Sequence, residues 1–208
     1  NQNIDSIICL GDLVGYGPHP NEVIALIKRR NILCLKGNYD ASVVDNDYTY
    51  IRDTDINSFS LPWTVEELRT SNRYYLDNLP DDISMNVCGK SIKFVHGSPR
   101  KINEYLSEDY SELEEIMDEL KEDVLVCAHT HIPYAKKIGD KVIINDGSVG
   151  KPKNGKPHAT YVILDFSNEF KLKVEMKTVP YEFRRTMKDM ELKNFPQKLI
   201  YSYEFGKE

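Results

Sequence analysis

The sequence predicts one α/β domain built on a mixed sheet, and three observations lead there. Near the N-terminus two short apolar runs enclose a helical segment; later apolar runs come in pairs around Gly-containing turns; and run after run ends abruptly in polar residues. No internal repeat, low-complexity segment or Gly/Ser linker divides the 208 residues, so a single domain over 1–208 is expected.

Residues 5–10 form an apolar run ending in Gly-Asp, which reads as a buried strand entering a loop. That loop, residues 11–18, is rich in turn formers. Asn21 is then expected to cap a helix whose apolar face is Val23, Ile24, Leu26 and Ile27. Residues 32–35 make a second strand, which ends in Lys36-Gly37-Asn38-Tyr39-Asp40. Strand, helix, strand is a βαβ unit, and such units carry their chemistry at the carboxyl ends of the strands. Residues 41–79 are polar and mostly helical in pattern, with Leu68, Tyr75, Leu76 and Leu79 at helical spacing over 64–79. This segment is expected to shape the substrate cleft.

Beyond Pro80 the pattern changes to strand pairs. Residues 83–87 and 91–95 flank Cys88-Gly89-Lys90 as a hairpin, and 135–138 and 141–144 flank Gly139-Asp140 as another. Between them lie an acidic amphipathic helix, 110–121, and a buried strand, 124–128. Strands at 160–166 and 171–179 precede a helical tail.

Composition narrows the function classes. A formal charge of −6 argues against a nucleic-acid-binding surface, which would need a basic stripe. It leaves room for a phosphate-bearing substrate, because metal ions can supply positive charge locally. No stretch approaches the roughly 18 apolar residues of a membrane span. Cys9, Cys34, Cys88 and Cys127 are widely spaced, form no CxxC pair, and mostly sit in apolar runs. They read as buried reduced thiols, which points to a cytoplasmic address.

Asp12, Asn38, His96, His129 and His131 share one context, since each follows an apolar strand: IICLGD, ILCLKGN, IKFVH and VLVCAHTH. Sheets bring consecutive strand ends to one rim, so these groups can converge although they span most of the chain. Imidazoles, a carboxylate and an amide oxygen together suit a borderline divalent ion such as manganese, iron or zinc. Taken singly each feature is ordinary: Gly-Asp is usually a turn, and a histidine after a strand is usually structural. His19, in a Pro-rich loop, and His158, opening a late strand, are read as non-ligands. Arg100, just after His96-Gly97-Ser98-Pro99, is a phosphate-clamp candidate, although a surface arginine is the plainer reading. Gly147-Ser148 suits a tight backbone near the site or an ordinary turn.

In order along the chain, GDLVG, KGNYD, FVHGSP and AHTH resemble four of the five motifs of the calcineurin-like metallophosphoesterases, and NDGSVGKP resembles their closing segment. GDLVGYGPHPNEV is most similar to the bacterial and archaeal predicted-phosphodiesterase branch. The resemblance implies a four-layer αββα sandwich of two mixed β-sheets flanked by helices. It implies that Asp12 bridges two divalent metals, with manganese favoured and iron, zinc or nickel as alternatives. Asn38, His96 and His129 would complete one site, and His131 would serve the other. Ions about 3.5–4 Å apart would polarise the phosphoryl oxygens and hold the hydroxide that attacks phosphorus.

Two departures from the family pattern shape the expectation. Tyr39 stands where many members have a histidine that protonates the leaving group, so Asp40 keeps the orienting carboxylate without its usual partner. With an ordinary pKa of about 10, tyrosine is the poorer acid at neutral pH. The family's opening Asp-x-His is also absent before the first strand, so this chain is expected to be an N-terminally incomplete copy that holds one metal firmly. The function expected is metal-dependent hydrolysis of small phosphate esters, with phosphodiesters favoured. The alternatives are a phosphomonoesterase, possibly a protein serine/threonine phosphatase, and a non-catalytic interaction module like the retromer-associated relative.

Overall fold

The computed structural model describes residues 4–168 and 171–207. The chain starts as the βαβ unit: β1 (Ile8–Cys9), α1 (Pro20–Arg29) and β2 (Leu33–Cys34), with Ile8 opposite Leu33 in a parallel pair. Three helices follow, α2 (Asn38–Asp45), α3 (Asp55–Glu67) and α4 (Thr70–Asp77). Next come β3 (Asp82–Val87), β4 (Lys90–Val95), α5 (Leu113–Glu119), β5 (Val124–Cys127), β6 (Tyr134–Ile138) and β7 (Lys141–Asn145). The chain closes with the hairpin β8 (His158–Asn168) and β9 (Lys171–Pro180), then α6 (Phe183–Leu192) and α7 (Gln197–Phe205).

Five strands pair in the order β3-β4-β5-β7-β6, parallel across β4-β5-β7 and antiparallel at both edges, so this sheet is mixed. Alternation along its strands sends side chains to two cores. Leu125, Cys127 and Ile143 pack with Leu113, Ile116 and Met117 of α5. Ile92, Phe94, Val124, Val126 and Ile144 face the other way, against Leu10, Leu35 and the β8–β9 side chains Val162, Leu164 and Val174. On the far side of β1 and β2, Cys9 and Cys34 meet Ile24, Tyr39, Val43, Leu61 and Leu76 from α1 to α4. The layers therefore run helices, β1–β2 with β8–β9, five-stranded sheet, helix. This is the expected αββα order. Among the described residues the second sheet consists of two separate ladders, the parallel β1–β2 and the antiparallel β8–β9. A fully buried Leu or Ile in such layers contributes about 1.5–3 kcal/mol of transfer free energy.

Several local expectations are corrected. Asn21 does not cap α1: Pro20 takes a first-turn position, which suits its fixed φ and missing N–H, and His19 becomes the cap residue. Of the expected apolar face, Ile24 and Ile27 pack inward, whereas Val23 and Leu26 lie exposed. The helix expected over 64–79 is broken at Leu68, which is extended and separates α3 from α4. Asn21 holds that break. Its amide donates to Glu67 O at 2.9 Å, while its Oδ1 accepts from Arg69 N at 3.0 Å and Asn72 Nδ2 at 2.9 Å. Cys88 is exposed rather than buried, since it occupies the β3–β4 turn, where Cys88 and Gly89 both have positive φ. Among the described residues no helix is long and apolar enough to cross a membrane.

Replacing Asn21 with Ala removes three bonds, two of them part-buried bonds to the backbone at the α3–α4 break. A loss of about 1–3 kcal/mol in unfolding free energy is expected by urea denaturation. Wild-type stability in that variant would show that the break is held by other contacts.

Candidate metal centre

The carboxyl ends of β1, β2, β4 and β5 carry Asp12, Asn38, His96 and His129 into one buried cluster. Left-handed backbone aims two of these residues, with φ of 55° at Asp12 and 60° at His129; His131, at 61°, shares that conformation. For non-glycine residues this region costs roughly 1–3 kcal/mol each, and such strain gathers at functional sites. The loops after β1 and β2 touch because glycines let them: a Cβ on Gly11 would collide with the Gly37 backbone, and one on Gly37 with Asp12 Oδ1. Asp40, wholly buried, then clamps both loops, accepting from Asp12 N at 2.8 Å, Leu13 N at 2.9 Å and Gly37 N at 2.9 Å. Asp12 Oδ1 returns the link by accepting from Tyr39 N at 2.9 Å.

At the centre stands His96. Its Nδ1 donates to Leu10 O at 2.6 Å, which sets the tautomer and turns a lone pair on Nε2 into the cluster. Around Nε2 lie Asn38 Oδ1 at 3.0 Å, Asp12 Oδ2 at 3.2 Å and His129 Nδ1 at 3.2 Å. The Asn38 amide is oriented by its Nδ2, which donates to Tyr50 O at 3.1 Å, so its oxygen faces His96. Among the described residues, the donor atoms of Asp12, His96 and His129 lie within 4.8 Å of one another. Asp12 Oδ2 is buried, with His96 Nε2 3.2 Å away, and among the described residues no well-aligned hydrogen bond reaches it. Acceptors converging on one point around an orphaned carboxylate oxygen need a cation, and this donor set fits a borderline divalent ion.

Electrostatics agree. Burial would raise the Asp12 carboxyl, but His96 and His129 outweigh it and hold it below its ordinary value. Burial pulls His96 down, yet Asp12 prevails and pushes it up to about 9, so a proton fills the role of a cation when none is bound. Burial and His96 push His129 down to about 4; burial and Lys153 push His131 down to about 3. Both rings are therefore neutral at physiological pH, the protonation state that metal binding by imidazole requires. Asp40 is pushed up to about 7 by its burial and by Asp12.

His131 stands outside the cluster. Its Nδ1 donates to Lys151 O at 2.6 Å, leaving Nε2 as the available donor atom, and its ring is edge-on to Tyr16 at 6.1 Å. Tyr39 lies beside the cluster with its phenol proton committed. Asn57 Nδ2 donates to Arg52 O at 2.8 Å, so Asn57 Oδ1 faces Tyr39 and accepts from it at 2.8 Å. Tyr39 must then accept from the Tyr16 hydroxyl at 2.5 Å. Burial, with Tyr16 close by, drives the Tyr39 pKa above its ordinary value.

Arg100 is not among the residues that line the cleft. It binds Glu112 at 3.1 Å, Glu115 at 2.6 Å and Glu119 at 2.9 Å along α5. His19 pairs with Asp189 at 2.9 Å and His158 opens β8. Gly147 has a φ of 78°, and a Cβ there would collide with Thr160 Oγ1, so the tight backbone is real. A cleft of about 380 Å³ opens beside Asn38 and His129, lined also by Arg52, Tyr105, Lys151 and Lys198. None of those four stands out in the sequence. Asp146 is a further residue that the sequence reading does not single out; burial pushes it up to about 7, His96 pulls the other way, and among the described residues its Oδ1 has no hydrogen-bond partner. Its signal was available, because it follows the apolar run of β7 as Asp12 follows that of β1.

Residues 1–169 match the family model for the calcineurin-like phosphoesterase superfamily domain. The chain belongs to that superfamily. Among curated proteins this phosphoesterase chain is 32% identical over 215 residues to the uncharacterized protein MJ0912 of Methanocaldococcus jannaschii, covering 95% of this chain and 85% of that one. A shorter match, 51% identical over 43 residues, is to phosphodiesterase YfcE of Escherichia coli, and covers 21% of this chain and 23% of YfcE. The crystal structure of a metallophosphoesterase from Sphaerobacter thermophilus superposes with a TM-score of 0.82 at 26% identity, over 98% of this chain and 89% of that one. The superfamily is metal-dependent, in keeping with the donor cluster.

Two outcomes are expected. His96→Ala should lower bound metal per chain sharply, measured by elemental analysis, whereas His19→Ala should leave it unchanged; normal metal content in His96→Ala would overturn the cluster. Because metal must displace the proton that His96 holds below about pH 9, metal affinity should rise with pH from 6 to 8. One released proton corresponds to about tenfold per pH unit. Calorimetry in buffers of different ionisation enthalpy would read that proton directly, and a pH-independent affinity would exclude His96 as the group displaced.

Proposed function

We propose that this chain is a metal-dependent hydrolase of small phosphate esters, with phosphodiesters its preferred class and manganese its favoured ion. The observation that carries the proposal is the convergence of Asp12 Oδ2, Asn38 Oδ1, His96 Nε2 and His129 Nδ1 beside an open cleft. Bound there, divalent ions supply Lewis acidity toward the phosphoryl group and the attacking water. The chain's residues do the rest. Asp12, Asn38, His96 and His129 hold the ion, Asp40 fixes the two loops that present Asp12 and Asn38, and His131 offers Nε2 as a further donor.

Tyr39 supports the diester preference. Its proton is given to Asn57 and its pKa is raised, so it is poorly placed to protonate a leaving alkoxide. An alkyl monoester needs that proton most, whereas an activated diester departs without it. The local similarity to phosphodiesterase YfcE supports the same class. Cysteine usage supports a cytoplasmic address.

The test is a kinetic comparison of the manganese-loaded, full-length protein on bis(p-nitrophenyl) phosphate and on an alkyl monoester. General acid catalysis contributes about 10²–10⁴-fold where it operates, so a kcat/KM advantage of at least about tenfold for the diester is expected. A preference for the alkyl monoester would overturn the diester assignment, and no turnover of either with metal bound would overturn the enzymatic one.

A further inference from the structure

Residues 49–57 wall part of the cleft, and their backbone is tied to the metal centre at two carbonyls. Tyr50 O accepts from Asn38 Nδ2 at 3.1 Å and from Asn103 Nδ2 at 3.4 Å. Arg52 O accepts from Asn57 Nδ2 at 2.8 Å, and Asn57 in turn receives the Tyr39 proton at 2.8 Å. Asn57 N donates to Thr54 Oγ1 at 3.2 Å, capping α3 and fixing where the segment ends. The backbone of Arg52 is therefore positioned by a strut that runs Tyr16–Tyr39–Asn57.

The Arg52 side chain is placed as carefully. Its guanidinium lies over the Tyr105 ring, 5.0 Å from the centroid, and Tyr105 packs on His129 with ring centroids 4.1 Å apart. One aromatic ring thus separates an arginine from a metal-donor histidine in the same cleft. A guanidinium carries its five N–H donors in its plane, so stacking on a ring face is compatible with forked contact to phosphoryl oxygens. The other cleft cations are worse suited. Lys151 is buried, with Nζ 3.4 Å from Lys207 O and 5.0 Å from the Tyr16 ring, and a lysine offers a point charge without the fork.

We propose that Arg52 binds the substrate's phosphoryl oxygens beside the metal centre, and that Tyr39 is a positioning residue that holds Arg52 there through Asn57. The proposal rests on the phosphoesterase reading above. Tyr39, which stands where a proton donor is expected, instead anchors the phosphate-binding wall.

Inorganic phosphate is the probe, titrated calorimetrically into the full-length, manganese-loaded protein with metal content measured in every variant. Arg52→Gln is expected to weaken phosphate binding at least tenfold at unchanged metal content, and Arg52→Lys to recover part of it. Tyr39→Phe should weaken binding less, and should add little in the Arg52→Gln background, because both act on one contact. Full additivity would overturn the role given to Tyr39. Phosphate binding by Arg52→Gln equal to wild type, loss of metal in that variant, or no phosphate binding by wild type would each overturn the role given to Arg52. If phosphate binds through Arg52 but no ester is hydrolysed, the enzymatic reading fails and the anion site stands.

Discussion

His96 Nε2 faces three electron-rich atoms within 3.2 Å, and that crowding is the constraint on which the site depends. Lone pairs do not gather in a buried place unless something positive is meant to lie between them. The protein cannot relieve the crowding by rotating His96, whose other nitrogen is held by Leu10 O, nor by flipping Asn38, whose NH₂ is held by Tyr50 O. Each of these two donors is fixed from behind by a backbone carbonyl. The energy of the arrangement is therefore unfavourable until a cation arrives, and a proton on His96 serves as a partial substitute. Metal binding then recovers what folding left unsatisfied.

Assembling this cluster shapes the backbone around it. Asp12 and His129 adopt left-handed conformations, and Gly11 and Gly37 are needed so that two loops can pass in contact. Asp40 spends its hydrogen bonds on Asp12 N, Leu13 N and Gly37 N rather than on the cleft. Burial and the nearby Asp12 carboxylate push its pKa up to about 7, while the N–H groups of Gly37 and Asp12 pull it back and favour the ionised acceptor. Asp40, expected to keep an orienting carboxylate, clamps two strand-end loops together. The αββα layering does the coarse work of bringing β1, β2, β4 and β5 to one rim, and these clamps do the fine work.

How much of this is legible in the chain depends on the range of the interaction that decides it. The βαβ unit and both hairpins could be read because each is set locally, by an apolar run and the Gly turn beside it. The convergence of Asp12, Asn38, His96 and His129 could be read because each follows its own strand directly. Asn21 obeyed the local rule for a helix cap and was still misplaced: its partners, Glu67, Arg69 and Asn72, are on distant segments, and Pro20 already opens the helix. The break at Leu68 was hidden for the same reason. Arg52 sits in a polar stretch where nothing local marks it, and only the fold shows that its ring partner, Tyr105, packs on His129. Arg100 looked better placed by sequence, two residues past the Gly97-Ser98 pair, but the acidic face of α5 claims it.

The acidic balance of the chain and the chemistry of its cleft are reconciled by where the charges sit. A net charge of −6 describes the whole surface, yet Arg52, Lys151 and Lys198 line the cleft, and among the described residues no Asp or Glu lines it. Glu112, Glu115 and Glu119 are spent together on Arg100, away from the cleft. A phosphate entering the cleft responds to the local field, which fixed cations and low-dielectric walls concentrate, more than to the total charge. Asp12 contributes negative charge at the metal cluster, where a divalent ion would more than offset it. The charges that line the cleft are thus opposite in sign to the net charge of the chain, so the local field and the overall balance need not agree.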